Sequence, residues 1–133
     1  KTSLGKYINP DVIEGKFAES GFIENIVVLG ENQKHAGAII VPDFAFLKTW
    51  CQKHEINYTT PKEMINNEAV KRRYAEEVKK INQNFGDTEK IKCYELIADE
   101  WSVANGILTP TLKVKRSVVK EAYNDLIKKM YKE

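Results

Sequence analysis

Long apolar runs are missing from this chain, and with them any stretch of the roughly 18–20 residues that a membrane-spanning helix needs. The amino terminus, Lys1-Thr2-Ser3-Leu4-Gly5, has neither the apolar region of a signal peptide nor an initiating methionine. The chain is therefore expected to begin inside something larger or to be a processed product. Cysteine is scarce: Cys51 and Cys93 are the only two in 133 residues. With no framework of even spacings, they read as free thiols of a reducing cytosol rather than as a disulfide. Histidine is equally scarce. His35 and His54 stand far apart and lack Cys or carboxylate partners at metal-ligand spacing, so no metal ligand is nominated. Charge of one sign is not in excess either. Twenty-one basic and 19 acidic residues leave +2, too even a balance to argue for nucleic acid or an anionic membrane.

Catalytic signatures are also absent. There is no Gly-rich phosphate loop of the P-loop or dinucleotide type, and no G-x-S-x-G elbow. Glu76-Glu77 and Asp99-Glu100 are adjacent pairs. Neighbouring positions on a helix face apart, so they read as solvated faces rather than acid/base couples. No self-sufficient active site is visible.

What the chain does contain is one folded unit. A hydrophobic fraction of 42% and a charged fraction of 30% suit a globular domain, and the length suits a single core. Asn9-Pro10 opens a helix with Val12, Ile13 and Phe17 on its apolar face, stopped by Ser20-Gly21. Phe22–Leu29 and Ala36–Val41 are short apolar runs joined by the polar turn 30–34, which predicts an antiparallel hairpin. Both runs are nearly continuous rather than alternating, so they are expected to be buried on at least one face. Asp43 caps a helix through about His54. Pro61 begins a short helix leading into a long one over 67–85, where Val70, Tyr74, Val78, Ile81 and Phe85 keep helical spacing. Ile91–Ala98 reads as a third strand, 99–115 as irregular, and 117–131 as a last helix. The fold class is α+β: a small antiparallel or mixed sheet with a β-hairpin, covered by helices.

The most informative stretch is Asn105-Gly106-Ile107-Leu108-Thr109-Pro110-Thr111-Leu112-Lys113-Val114-Lys115-Arg116. It puts Lys113 just past a turn and just before a helix, in an apolar loop constrained by Pro110. A lysine on a short, stiff segment can be delivered to a phosphate or carboxylate as a point charge. From spacing alone, the favoured reading is that Lys113, Lys115, Arg116 and Lys120 are only a basic patch at a helix start.

Residues 108–116 resemble the tenth core motif of the adenylate-forming superfamily, in the form used by long-chain fatty-acyl-CoA synthetases: an L-T-P-T-x-K-x-K-R run after an E-N-G-like turn. Here the turn is Ala104-Asn105-Gly106, without the acidic residue. Lys1-Thr2-Ser3-Leu4-Gly5-Lys6-Tyr7-Ile8-Asn9-Pro10, followed by Ile13-Glu14, resembles the end of the eighth core motif, K-T-S-x-G-K-Y-x-x-P-x-x-I-E. The runs 22–30 and 38–42 look like the hairpin of the same domain. Two motifs about a hundred residues apart, in the expected order, make the joint signal specific.

The resemblance implies that residues 1–133 are the single, mobile C-terminal domain of a larger AMP-forming acyl-CoA ligase, with the N-terminal ATP- and acyl-binding domain absent. ATP and CoA would be co-substrates, Mg2+ would accompany ATP, and a fatty acid would be the acyl donor. Lys113 matches the lysine that enters the active site for adenylation. Gly5 matches the glycine that lines the CoA channel, with Ser3 and Lys6 beside it. Lys115 and Arg116 are expected to be surface charges or contacts to the missing domain. The isolated chain is expected to be inactive, and the enzyme to be cytoplasmic, with peripheral membrane contact allowed. Other readings are the equivalent domain of a medium-chain ligase or of a peptide-synthetase adenylation domain, or a non-catalytic interaction module using loop 99–116. A nucleic-acid binder using the basic patch is disfavoured by the near-neutral charge.

Overall fold

The structure, a computed structural model, describes residues 9–29, 36–86, 90–99, 101–111 and 114–131. The elements run α1 (Pro10–Phe17), β1 (Ile23–Leu29), β2 (Ala36–Pro42), α2 (Phe44–Lys53), α3 (Pro61–Asn66), α4 (Glu68–Asn82), β3 (Ile91–Leu96), α5 (Arg116–Ala122) and α6 (Asn124–Tyr131). The sheet order is β1-β2-β3. β1 and β2 pair antiparallel, with Val28 opposite Ala38; β2 and β3 pair parallel, with Ile40 opposite Leu96. The sheet is therefore mixed, and the hairpin lies where the apolar runs place it.

Alternation along the strands sorts their side chains onto two faces. Ile26, Val28, Ala38 and Ile40 join one core with Ile13 and Phe17 of α1, Leu47 and Cys51 of α2, Met64 of α3, and Val70, Tyr74, Val78 and Ile81 of α4. Val27, Leu29, Ile39 and Val41 join a second core with Ile97, Trp101, Ile107, Leu108 and Val119. Every residue of β2 is buried. Burial on both faces explains why these strands read as continuous apolar runs rather than alternating ones. The described residues thus form three layers: α1–α4, the sheet, and a layer made of residues 97–99, 101–111 and 114–115 with α5 and α6.

Caps set the boundaries in the first layer. The Asp43 carboxylate accepts from the Phe46 amide at 3.1 Å, the Thr60 hydroxyl from the Glu63 amide at 3.1 Å, and the Asn67 side chain from the Ala69 amide at 2.8 Å. Asn9 stands at the cap position of α1, but its side chain makes no capping bond. The last helix differs from expectation: it breaks at Tyr123 into α5 and α6. Glu77 also departs from the solvated face expected of it. It is buried, accepting from the Ser20 hydroxyl at 2.5 Å and from Arg73 at 3.0 Å, while Arg73 lies over the Phe22 ring at 4.5 Å. Neither cysteine is in a disulfide; Cys51 is buried and Cys93 half-buried.

Candidate functional site

The segment leading to the nominated lysine is built as a tight, pinned loop. Asn105 folds it first. Its side-chain oxygen accepts from the Ser102 and Ile107 amides at 3.2 Å each, and its own amide donates to the Ser102 hydroxyl at 3.2 Å. Gly106 follows with φ +82°, a left-handed conformation that a side chain would strain. The Leu108 amide then returns to the Ser102 carbonyl at 3.1 Å. Ile107 and Leu108 are buried in the second core, so the turn is nailed to the sheet by its apolar residues.

Beyond the turn, Leu108 pairs with Val114 in an isolated antiparallel bridge, and the Lys115 amide donates to the Ile107 carbonyl at 2.7 Å. The Thr109 and Thr111 hydroxyls lie 3.0 Å apart. Tyr123, at the break between α5 and α6, braces the layer from the other side. Its hydroxyl donates to Asp99 at 2.7 Å and accepts from the Trp101 indole at 3.1 Å. Burial, reinforced by Asp99, pushes that phenol up to about 12, although the Trp101 bond pulls it down, so it remains a neutral donor.

Arg116, the first residue of α5, which the sequence reads as a surface charge or a contact to the missing domain, forms an ion pair within this domain. Its guanidinium donates to Glu14 Oε2 at 2.8 Å, and the same oxygen accepts from the Val28 amide at 2.8 Å. Val28 belongs to β1, whose other edge carries no strand among the described residues. One carboxylate of α1 thus satisfies an edge-strand amide and holds the start of α5. Asp11 lies 3.8 Å from the same guanidinium but is 89% exposed, too solvated to add much. The Arg116 Nε is buried, with no acceptor among the described residues.

Lys113, Gly5, Ser3 and Lys6 all lie outside the described residues, as do His35 and Glu100. What is in place is the frame on both sides of position 113: buried residues 107 and 108 before it, and three anchored residues, 114, 115 and 116, after it. The frame also joins the two motif regions, because Glu14 closes the eighth motif and Arg116 the tenth. That contact spans 102 positions and has no signature in local pattern. Among the described residues no group of three His, Cys, Asp or Glu could hold a metal ion. No helix there is long and apolar enough to cross a membrane.

Comparison with known proteins decides the family. The model of the AMP-binding enzyme C-terminal domain matches residues 2–133. The chain belongs to that family. Among curated relatives of the domain, long-chain-fatty-acid–CoA ligase 6 of Homo sapiens is 31% identical over 98% of this chain. The peroxisomal long chain acyl-CoA synthetase 6 of Arabidopsis thaliana is 29% identical over all of it. This C-terminal domain spans only 19% of either relative's length. Among solved structures, the adenylation domain of a carboxylate reductase from Mycobacterium chelonae superposes with a TM-score of 0.77, covering 98% of this chain and 19% of that one at 17% identity. The A-PCP didomain of a carboxylic acid reductase from Segniliparus rugosus, solved with AMP, gives 0.76 over 98% of this chain and 17% of that one at 22% identity. These structures establish the fold: a small mixed sheet with helices, as in the C-terminal domains of adenylate-forming enzymes.

Proposed function

We propose that residues 1–133 are the mobile C-terminal domain of an AMP-forming long-chain fatty acid–CoA ligase, working against an N-terminal domain that binds ATP and the acyl group. The observation that carries this reading is the 31% identity to a long-chain ligase across 98% of the chain. The pinned frame around position 113 supports it, because a point charge is useful only if it arrives in a defined place.

The reaction has two halves. In the first, a carboxylate oxygen of the fatty acid attacks the α-phosphorus of ATP, and pyrophosphate leaves. In the second, the CoA thiolate attacks the acyl carbon, and AMP leaves. Lys113 supplies a positive charge between the incoming carboxylate and the phosphate oxygens during adenylation. Mg2+ would accompany ATP, held on the N-terminal domain rather than by this chain's residues. Gly5, flanked by Ser3 and Lys6, lines the passage for the pantetheine arm in the second half, where any Cβ would narrow the channel.

The test is to separate the halves in the full-length ligase. Lys113→Ala is expected to lower pyrophosphate exchange by about 10²–10³, the usual effect of removing one preorganised electrostatic donor. Thioester formation from supplied acyl-AMP should survive. Gly5→Leu should show the opposite pattern. Equal losses in both halves for Lys113→Ala would overturn the assignment. The purified 133-residue chain should show no pyrophosphate exchange and form no acyl-CoA.

A further inference from the structure

The geometry points to Glu14 and Arg116 as positioning residues for adenylation: they form a clip that fixes the start of α5, three residues after position 113. This inference rests on the assignment of Lys113 above, and its test is arranged so that either can fail alone.

The clip is placed unusually well for that task. Arg116 belongs to the third layer and Glu14 to the first, and they meet around the edge of β1 that carries no strand among the described residues. The bond is short and shielded: 2.8 Å, with the Glu14 side chain 21% exposed and that of Arg116 35%. Glu14 is itself fixed, because its Oε2 also takes the Val28 amide at 2.8 Å. Arg116 is therefore tied to the rigid centre of the domain rather than to another mobile side chain. Three successive residues after position 113 are each anchored: Val114 by the bridge to Leu108, Lys115 by its amide to Ile107, and Arg116 by Glu14. Of these, only the clip reaches across to the other layer. Without it, the start of α5 keeps its contacts within its own layer but loses its register against α1 and β1.

The consequence is selective. Displacing a charge by an ångström costs up to about 10²-fold in a step that depends on orientation. It costs nothing in a step that does not use that charge. In the full-length ligase, Arg116→Met should lower kcat for pyrophosphate exchange by roughly ten-fold to a hundred-fold with KM for ATP unchanged. Thioester formation from supplied acyl-AMP should stay within about two-fold, as expected for a step that does not use the charge. Arg116→Lys should recover part of the loss, since it keeps a charge but not the planar guanidinium. Glu14→Gln, which retains an acceptor for the Val28 amide, should be milder than Glu14→Ala.

The deciding variant is Lys113→Ala with Arg116→Met. A positioning residue acts through Lys113, so the double variant should exchange pyrophosphate no more slowly than Lys113→Ala alone. A drop by the full product of the two single effects would overturn the proposal, as would equal losses in both half-reactions for Arg116→Met. Should Arg116→Met fail to fold, the Lys113→Ala pair with Arg116→Lys carries the same comparison. A neutral Lys113→Ala would instead sink the assignment of the lysine, and the clip's proposed role with it. A crippled Lys113→Ala beside an unaffected Arg116→Met would sink the clip alone.

Discussion

Gly37 lies in the middle strand, beneath the end of the last helix, and replacing it with alanine tests how that helix is seated. A Cβ built there would sit 2.7 Å from the Tyr131 hydroxyl, 2.8 Å from Cys93 Sγ and 3.0 Å from Met130 Cε. Real Cβ atoms do not stay under 3.0 Å from a neighbour, so something must move. Cys93 is the register partner of Gly37 on β3, and its Sγ can turn aside only about the single Cα–Cβ bond. The Tyr131 hydroxyl is held by a bond to the Leu29 carbonyl at 3.1 Å. The cheapest relief is for α6 to lift, because none of its residues is fully buried. Overpacking of this kind costs about 1–3 kcal/mol. Alanine recovers about 0.5–1 kcal/mol of that by restricting the unfolded chain. The net expectation is a loss of about 1–2 kcal/mol, a fall in Tm of roughly 3–8 °C for a domain of this size. Urea denaturation measures it. Tyr131→Phe removes the nearest contacting atom, so the double variant should lose less than the sum of the two singles. An unchanged midpoint for Gly37→Ala, or strict additivity in the pair, would refute the seating described here.

Two further outcomes follow from the same geometry. Burial, aided by the charge of Glu95 and opposed by a bond from Tyr131, pushes the Cys93 thiol up to about 11 from an ordinary 9.0. The folded value lies above the unfolded one, so this contribution to stability is whole below about pH 9 and fades as pH rises through 11. Unfolding free energy measured over that window should fall less steeply in Cys93→Ala than in the parent chain, and parallel slopes would contradict the burial argument. Gly15 lies on the exposed side of α1, where a Cβ would meet nothing within 4 Å. Gly15→Ala should therefore stabilise the chain by about 0.5–1 kcal/mol, seen as a higher urea midpoint.

Local chemistry carried most of the fold from the sequence. Asp43 announces its helix by cap type and is a bonded cap in the structure, and Thr60 and Asn67 cap the next two helices in the same way. The hairpin was legible because two β-branched runs flank a polar turn. Tyr123 was not legible as a break, because Val119, Tyr123, Leu126 and Met130 keep an apolar face at helical spacing across it. The phenol leaves that pattern to reach Asp99 and Trp101, and a hydrogen bond across 24 positions leaves no mark on periodicity. Glu77 misled for a related reason. It sits in a charged run, and only the tertiary contact with Ser20, 57 residues away, draws it inside. For the site, the motif resemblance named the positions, and the pairing of Glu14 with Arg116 came from the structure alone.

The layer that bears the proposed lysine has little regular structure, and its rigidity needs a source other than helix or sheet. Among the described residues, 97–99 and 101–111 contribute no strand to the sheet, and α5 and α6 are short. Helices of seven and eight residues are marginal alone and take their stability from packing. Here that packing is apolar on one side, through Trp101, Ile107, Leu108 and Val119 against Val27, Leu29, Ile39 and Val41. Apolar contact resists separation but only weakly resists sliding, because it is non-directional. Directional bonds are what stop the sliding, and they sit at the rims: Arg116 to Glu14 at one and Tyr131 to the Leu29 carbonyl at another. Both span 102 positions and end on or beside β1. Under the function proposed above, a domain that presents a charge in one pose and withdraws it in another would gain from this division. The greasy interface holds the layer on, and a few directional bonds set its register.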